Sequence, residues 1–474
     1  EGKRISLSEM QEVADKITAL YRQKGFITSI AILPPQKIQD GRLKINIIEG
    51  GIGAVRVEGN RYFQTSLIKR QILLNADDIL DYTVLKNNLR SLNESRDRKI
   101  KMVMSPGQEP GTTELLLKVQ DQLPIHVGVA YDNYGSRYLQ KNQYQGTLTH
   151  NNLFGFDDML TLSYQMADQN STYDLRSVNY RVPIFNATQL GFFAAKTHLR
   201  LGRELEDYIV RGKTNIYSVY LNQSLLTHDN TSLMLNLGFD YKNITDFQLN
   251  EKTSGDYLRV AHMGLRWDHV DAGGRTIVNH EASQGLDVFG ALPKKTALNE
   301  SPLASRLGSG GQFTKNVLDV LRLERMPLDS TLLLKAQVQV ASHVLTATEE
   351  FQLGGMSNLR GYAAGEKAGD NGQTATAEFC FPLYIIPKDI KAPFSKAVIY
   401  DSFRLAMFYD WGHISHRSPL AGEEKSANLM DLGFGGRYNL PENFSMRLDV
   451  AWPLNNKFSD GDAAHYWIRI SKEF

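Results

Sequence analysis

Residues 444–452 read Phe-Ser-Met-Arg-Leu-Asp-Val-Ala-Trp, with an apolar side chain at every second position. Because successive side chains of a β-strand point to opposite faces, one face of this segment is apolar and the other carries Arg447 and Asp449. Residues 332–340 and 233–241 repeat the alternation. About sixteen such segments follow Ile125, each roughly ten residues long, which is the length that a tilted strand needs to cross a bilayer. The sequence therefore predicts an all-β transmembrane barrel of about sixteen antiparallel strands.

A soluble β-sandwich or propeller would also contain alternating strands, and three features argue against it. The second face of the segments is charged, which the apolar core of a sandwich would not tolerate. Aromatic residues recur near the segment ends, as they do at the two interfaces of a membrane barrel. Finally, Tyr466, Ile468, Ile470 and Phe474 share one face, so we expect Phe474 to end the last strand.

The composition excludes two classes of protein. The 474 residues include 53 basic and 52 acidic side chains. This balance lacks the basic excess of a nucleic-acid-binding protein, so we expect no nucleic-acid partner. No stretch of about 18 apolar residues occurs, which excludes a transmembrane helix but not a barrel with alternating strands. The single cysteine, Cys380, permits no internal disulfide and gives no evidence about the compartment.

The first part of the chain mixes helical and strand patterns. Ser6 and Glu9 have the spacing of a capping box, and the apolar residues that follow recur at helical intervals. The predicted elements are a helix over residues 10–24 and strands over residues 27–33 and 43–48. We interpret residues 1–50 as an α+β domain that lacks its opening strand and most of its first helix. Because the sequence begins directly in a helical pattern, we expect an export signal and further residues to precede it.

The pattern then restarts in residues 51–122. A short strand is followed by two helices and two strands, predicted over residues 55–57, 65–74, 82–92, 100–104 and 114–119. This order buries two helices on one face of a small sheet. We therefore expect a second α+β domain over residues 51–122 and assign residues 123–474 to the barrel.

A glycine-rich segment, Gly354-Gly355-Met356-Ser357-Asn358-Leu359-Arg360-Gly361-Tyr362, follows the strand that ends near His343. Two further glycines come soon after it, and together these glycines predict a long loop over residues 351–370 with unusual backbone angles. An arginine flanked by glycine on such a loop could simply be solvated.

The strand over residues 403–412 offers that arginine a partner. Its odd-numbered residues form an apolar stripe, so Asp410 must point into the barrel. A guanidinium–carboxylate pair can be bidentate, and breaking one side of a buried pair leaves a costly lone charge. We therefore predict a hydrogen-bonded contact between Arg360 and Asp410 that pins the loop inside the barrel. Glu378, on the polar face of its own strand, is a second possible acceptor.

These motifs resemble those of a known superfamily. Leu359-Arg360-Gly361-Tyr362 is similar to the tetrapeptide at the tip of the sixth extracellular loop in the outer-membrane assembly and secretion superfamily. Phe408-Tyr409-Asp410-Trp411-Gly412 is similar to the partner F-x-D-x-G motif on that superfamily's thirteenth strand. The resemblance implies a gating loop and a partner on the lumen wall. The loop residues would be Leu359, Arg360, Gly361 and Tyr362, and the wall residues Phe408, Asp410, Gly412 and possibly Glu378.

The two N-terminal units resemble polypeptide-transport-associated (POTRA) domains. Within the superfamily the chain looks like a two-partner secretion transporter (TpsB) of the haemolysin or haemagglutinin secretion/activation type, and the resemblance spans essentially the whole chain. Besides the loop and wall motifs, it rests on residues 25–29, 33–36, 48–50, 106–112, 132–135 and 152–155. The N-terminal plug helix and linker that this family usually carries are missing from this sequence.

The resemblance implies a protein of the bacterial outer membrane with its POTRA domains in the periplasm. It would recognise one large exoprotein (TpsA type), an adhesin, haemolysin or contact toxin, and pass it unfolded to the cell surface in type Vb secretion. Folding outside would supply the energy, because no G-x-x-x-x-G-K-[ST] nucleotide-binding motif occurs. Outer-membrane lipid, and the outer-membrane assembly machinery during insertion, are the other implied partners.

Three other functions compete with secretion. An enzyme would need a convergent acid–base set, whereas His262, His269, His280 and His343 are scattered and no H-E-x-x-H motif or nucleophile elbow occurs. We therefore expect no catalytic residue, no metal and no cofactor. A passive porin would have no reason to carry POTRA domains. A POTRA-containing barrel assembly factor, which inserts outer-membrane proteins, shares the loop motif and remains the alternative.

Overall fold

The computed structural model describes residues 6–474 except 39–40, 73–78, 137, 169–171, 186, 296–302, 394 and 456–458. The chain divides into two compact units. The first comprises the residues up to Ile125 together with Asn151–Asp158, and the second comprises His126–His150 with Met159–Phe474. No helix in the described part of the chain is long and apolar enough to cross a membrane.

The first unit opens with helix α1 (Leu7–Gln23), which the predicted capping box begins. The Ser6 hydroxyl accepts a hydrogen bond from the Glu9 amide at 3.2 Å, and the Glu9 carboxylate accepts one from the Ser6 amide at 2.6 Å. Strands β1 (Ile30–Ile32) and β2 (Asn46–Ile48) then pair antiparallel. Both strands are shorter than predicted.

The start of β1 is delayed by a turn after α1. The Ile27 amide donates to the Gly25 carbonyl at 3.0 Å, and the Ser29 amide donates to the Phe26 carbonyl at 3.2 Å. Because these amides are used within the turn, they cannot join a strand ladder, and pairing begins only at Ile30.

The rest of this unit confirms the predicted β-α-α-β-β order. The elements are β3 (Gly51–Glu58), α2 (Thr65–Ile72), α3 (Tyr82–Leu92), β4 (Arg98–Pro106) and β5 (Thr112–Asp121). The sheet order is β3-β5-β4, with β3 parallel and β4 antiparallel to β5. Ile68 and Leu85 of the two helices belong to the same buried cluster as Leu115 and Leu117 of the sheet. Leu73 and Leu74, predicted to end α2, lie outside the described residues.

The second unit contains a closed antiparallel barrel of sixteen strands, which confirms the predicted architecture. The strands are β6 (Ile125–Asp132), β7 (Gln143–His150), β8 (Met159–Ala167), β9 (Tyr173–Phe185), β10 (Thr188–Arg200), β11 (Arg211–Thr227), β12 (Thr231–Gln248), β13 (Glu251–Val270), β14 (Gly274–Gly285), β15 (Thr314–Met326), β16 (Ser330–Ala341), β19 (Asn371–Pro382), β20 (Phe403–Ser415), β21 (Ser426–Leu440), β22 (Phe444–Pro453) and β23 (His465–Glu473). The barrel closes where β23 pairs with β6. Strand β23 ends one residue before Phe474, whose amide still donates to the Val127 carbonyl at 2.9 Å.

The two faces of the barrel strands follow the predicted alternation. In β20, Met407 and Tyr409 point outward and are 44% and 40% exposed, whereas Phe408 and Asp410 point inward and are 2% and 0% exposed. We call the end of the barrel at which β6 ends, opposite to the end at which it starts, the far end. Its loops include the described residues of 201–210, 286–295, 303–313, 342–370, 416–425, 454–455 and 459–464. Two short helices lie between strands in the described part of the barrel. A 3-10 helix (Arg203–Tyr208) is at the far end, and α4 (Ile399–Ser402) is at the opposite end.

The loop over residues 342–370 contains regular structure that the sequence did not predict. Strands β17 (Phe351–Leu353) and β18 (Lys367–Gly369) pair antiparallel and form a small separate sheet. Gly354 and Gly355, which follow β17, have φ angles of +105° and +89°, a region that residues with a side chain rarely adopt. The chain can therefore turn directly after β17, and the segment between the two strands folds back on itself.

Candidate functional site

The tip of loop 342–370 carries Arg360, which is 3% exposed and lies against the inner wall of the barrel. Its Nε donates to Asp410 Oδ2 at 2.8 Å and its Nη2 donates to Asp410 Oδ1 at 2.9 Å. This is a bidentate, charge-assisted pair of the kind that combines strength with a defined geometry. The contact between Arg360 and Asp410 that was predicted from strand parity and loop length is therefore present in the structure.

The second acceptor considered from the sequence, Glu378 of β19, also binds this arginine. Arg360 Nη1 donates to Glu378 Oε2 at 2.5 Å, and Glu378 Oε1 accepts from Arg437 Nη2 at 2.9 Å. Asp449 of β22 continues the network, at 2.7 Å from both Arg437 and Arg447. Three guanidinium groups and three carboxylates therefore meet in a largely buried site, and Asp431 of β21 adds a fourth carboxylate beside the loop tip.

Phe408 supports the arginine from the same strand face as Asp410. The Arg360 guanidinium carbon lies 3.3 Å from the centroid of the Phe408 ring, a cation–π contact. Residues two apart on a strand share a face, so Phe408 stacks on the guanidinium while Asp410 binds its edge. The F-x-D spacing is therefore explained by one side chain that both residues hold.

The two glycines of the motifs make room for this contact. A Cβ at Gly412 would lie 2.6 Å from Leu359 Cδ1 and 2.8 Å from Leu353 Cδ2. A Cβ at Gly361 would lie 2.4 Å from Asp431 Cβ. Leu359 is fully buried, so its side chain occupies the space that Gly412 leaves on the wall.

The loop tip also reaches the strands that follow β20. The Gly361 amide donates to Asp431 Oδ2 of β21 at 2.9 Å. The Tyr362 hydroxyl lies 3.0 Å from the Met430 carbonyl oxygen, and the Trp467 indole of β23 donates to the Arg360 carbonyl at 2.7 Å. With Glu378 on β19 and Asp449 on β22, the tip contacts five consecutive strands, β19 to β23.

Sequence reasoning missed several members of this network: Arg437, Arg447, Asp449, Asp431 and Trp467. All five lie on the inward face of their strands, and the alternation had already placed Arg447 and Asp449 on the polar face of theirs. Their contact with Arg360 depends on which strands are neighbours and on their register, which only the closed barrel defines.

A second cluster, called the Arg306 cluster below, joins three far-end loops. The Arg306 guanidinium lies 2.8 Å from Asp370, 3.1 Å from Glu350 and 2.9 Å from Glu423. The hydrogen bond from Arg306 lowers the pKa of Glu423 to about 2. Burial raises the pKa of Glu350 to about 7, and the raised value persists beside the nearby Arg306 because Asp370 adds a like charge. Arg306 lies in an irregular loop, and no periodicity in the sequence marks it.

One group of side chains in the described residues has the composition of a cation site. The ligand atoms of Asp460, Asp462 and His465 lie within 4.8 Å of one another. His465 Nε2, however, already lies 3.0 Å from Asp460, and the Lys141 ammonium lies 3.5 Å from Asp462. These carboxylates therefore already contact an imidazole and an ammonium group of the protein, and the group carries no metal assignment.

Two family models match the sequence. The model "Haemolysin secretion/activation protein ShlB/FhaC/HecB" matches residues 111–437, and the model "POTRA domain, ShlB-type" matches residues 1–50. The first match alone covers more than half of the chain.

Curated relatives match along nearly the whole chain. The heme/hemopexin transporter protein HuxB of Haemophilus influenzae is 25% identical over 484 residues, covering 100% of this chain and 82% of the relative. The hemolysin transporter protein ShlB of Serratia marcescens is 24% identical, covering 99% and 81%. The outer membrane transporter CdiB of Dickeya dadantii is 22% identical, covering 95% and 77%.

Solved structures share the fold. CdiB from Escherichia coli superposes with a TM-score of 0.77 at 19% identity, covering 99% of this chain and 85% of that one. BamA from Haemophilus ducreyi, lacking POTRA domains 1–3, superposes with a TM-score of 0.62 at 14% identity, covering 100% and 95%. The fold is therefore common to both proteins and does not by itself separate their functions.

Proposed function

Because the chain belongs to the haemolysin secretion/activation family of ShlB, FhaC and HecB, we propose that it carries one large exoprotein, an adhesin, haemolysin or contact toxin, unfolded through its barrel. The chain is an outer-membrane transporter of two-partner secretion, and its POTRA region lies in the periplasm. The far end of the barrel is accordingly extracellular, because the chain enters β6 from the periplasmic side.

Arg360 carries the proposed gating mechanism. Its buried contact with Asp410 holds loop 342–370 against five strands inside the lumen, where a passing polypeptide would need space. The loop must therefore shift during transport. The network of ion pairs gives the resting position a defined geometry, while each of its hydrogen bonds can be exchanged for one to water as the lumen fills.

The rest of the lumen suits an extended, unfolded substrate. Lys335, Gln337 and Gln339 of β16 point inward, so polar side chains there interrupt the apolar ones, such as Leu333, that share the lumen wall. Translocation needs no cofactor and no catalytic residue, because folding of the exoprotein outside the cell provides the driving force.

Residues 1–50 and 51–122 serve as two POTRA domains that receive the exoprotein. In the sheet β3-β5-β4, strands β3 and β4 are at the edges, and each presents one row of backbone groups. An extended polypeptide could add to such an edge as a further strand, with main-chain hydrogen bonds supplying affinity. Outer-membrane lipid surrounds the barrel, and the outer-membrane assembly machinery inserts it.

Deletion of the gene tests this function against that of a barrel assembly factor. We expect the deletion strain to lose one large surface protein, which accumulates or is degraded in the periplasm, while its other outer-membrane barrels stay at normal levels. Complementation with the wild-type gene should restore the surface protein. A general loss of outer-membrane barrels would instead assign the chain to the assembly function and overturn the proposal.

A further inference from the structure

The outward face of β9, β10 and β11 changes from apolar to mainly basic side chains at the extracellular end of the barrel. Nearer the middle of these strands, Val178, Phe192, Tyr217 and Val219 point outward and are between 42% and 55% exposed, as side chains that contact lipid tails should be. Directly beyond this apolar band, five outward side chains are basic, and Asp174, His198 and Asn215 lie among them. The five are Arg176, Lys196, Arg200, Arg211 and Lys213, called the basic face below.

Members of the basic face oppose each other across the strands. Lys196 is the direct cross-strand neighbour of Arg176, and Arg200 is the direct neighbour of Arg211. Like charges in such positions are separated by about 5 Å and destabilise a sheet unless an anion compensates them. A negatively charged group bound at this face would relieve that repulsion.

The protein itself supplies little compensation. Among the described side chains, Asp174 forms the ion pairs of this face, at 3.2 Å from Arg176 and 3.4 Å from His198. Arg211 Nη2 donates to Asn250 Oδ1, a neutral amide oxygen that leaves the positive charge uncompensated. Lys196 and Arg200 have no acidic side chain within ion-pairing distance among the described residues. Several positive charges thus stay available at the edge of the apolar band.

The other side of the barrel lacks this feature. Register places Gln284, Val340, Gln373, His413 and Asn428 on the outward face at the extracellular ends of β14, β16, β19, β20 and β21. None of these described positions is lysine or arginine, so the basic face is not a general property of the barrel rim.

We propose that the basic face binds the phosphate groups of lipopolysaccharide in the outer leaflet. Its level, directly above the apolar band, is the level at which lipid headgroups lie. Guanidinium groups match phosphate oxygens in a bidentate manner, and cations two residues apart along one strand can reach different phosphates of one glycolipid. Each cation near an anionic lipid surface contributes about fivefold in affinity. The bound lipid would fix one side of the barrel in the leaflet, whatever exoprotein the barrel carries.

The test uses the full chain purified in detergent and compares two triple variants. Lys196→Gln/Arg200→Gln/Lys213→Gln removes three charges from the basic face. Lys388→Gln/Lys391→Gln/Lys396→Gln removes three exposed charges from the periplasmic loop 383–402 and is the matched control. Heat-modifiable electrophoretic migration verifies that both barrels are folded. Native mass spectrometry then measures the binding of purified rough lipopolysaccharide, the same lipid after removal of its phosphates, and inorganic phosphate alone.

We expect the basic-face variant to bind phosphorylated lipopolysaccharide at least about tenfold more weakly than the wild type, as three charges at about fivefold each allow. The control variant should bind within about twofold of the wild type, and the wild type should bind the dephosphorylated lipid as weakly as the basic-face variant does. Equal binding by the two variants would overturn the proposal. Competition by inorganic phosphate at equal concentration would assign the face to a free anion and overturn the lipid assignment.

Discussion

The indole of Trp467 donates a hydrogen bond of 2.7 Å to the backbone carbonyl of Arg360. Trp467 lies on the last strand, two residues before the five residue pairs, Arg469–Glu473 with Gly128–Asp132, that close the barrel. Loop 342–370 is therefore anchored next to the closing seam as well as to strand β20. Movement of the loop away from β23 would break this hydrogen bond.

The Trp467→Phe variant tests this anchor. Phenylalanine keeps an aromatic ring but removes the indole donor, which leaves the Arg360 carbonyl without this partner in a buried site. We expect the docked loop to lose about 1 kcal/mol of stability, and the loop to be cleaved faster in limited proteolysis of the folded barrel. Cleavage at the wild-type rate would show that the hydrogen bond does not restrain the loop.

Substitution of Gly361 tests whether close packing positions the loop tip. In Gly361→Ala the new Cβ would lie 2.4 Å from Asp431 Cβ and 3.0 Å from the backbone nitrogen of Pro453, so the tip must move away from β21. Overpacking of this kind costs about 1–3 kcal/mol. We expect faster proteolysis of the loop and a lower temperature of barrel unfolding.

Gly146→Ala on β7 is the matched control for that variant. A Cβ at Gly146 meets no atom within 4 Å, so this substitution should change neither the proteolysis rate nor the unfolding temperature. If both alanine variants behave alike, the tip does not depend on the space at Gly361.

The alternation of apolar and polar side chains can be read within a single strand. Because of this, the sequence alone predicted the number of strands and the inward position of Asp410. The partners of Arg360 beyond Asp410 and Glu378 depend on register across five strands, which no single segment encodes. The small sheet β17–β18 was missed because its strands have three residues each, too few to show a period of two. The Arg306 cluster was missed because it joins three irregular loops that meet only in the folded barrel.

The Arg306 cluster predicts a pH dependence of the extracellular loops. The pKa of Glu350 is raised to about 7 by burial, so its stabilising contribution is complete below about pH 4.5 and is lost as the pH rises through about 7. The groups facing it are Arg306, His416, Asp370 and Glu423. Loop 342–370 should therefore be held more tightly at pH 5.5 than at pH 8, by at most about 3 kcal/mol.

Proteolysis of the loop at both pH values measures this difference. Glu350→Gln removes the titrating group and should flatten the pH dependence. Glu423→Gln is the comparison variant: Arg306 lowers the pKa of Glu423 to about 2, so that carboxyl stays ionised across the whole window. The pH dependence of proteolysis should persist in Glu423→Gln. If it instead disappears in Glu423→Gln and persists in Glu350→Gln, the assignment to Glu350 is wrong.

The central claim is that Arg360 and Asp410 hold the loop in the position from which secretion starts. Removing Arg360 leaves the buried Asp410 without its cation, at a cost of about 3–5 kcal/mol. Removing Asp410 breaks the bidentate pair that fixes the loop tip on β20, although Arg360 keeps its contact with Glu378. The direct measurement is the amount of exoprotein at the cell surface in strains carrying Arg360→Ala or Asp410→Ala, with heat-modifiable migration reporting barrel insertion. The account predicts inserted barrels with strongly reduced secretion in both variants. Secretion at the wild-type level by both variants would contradict it.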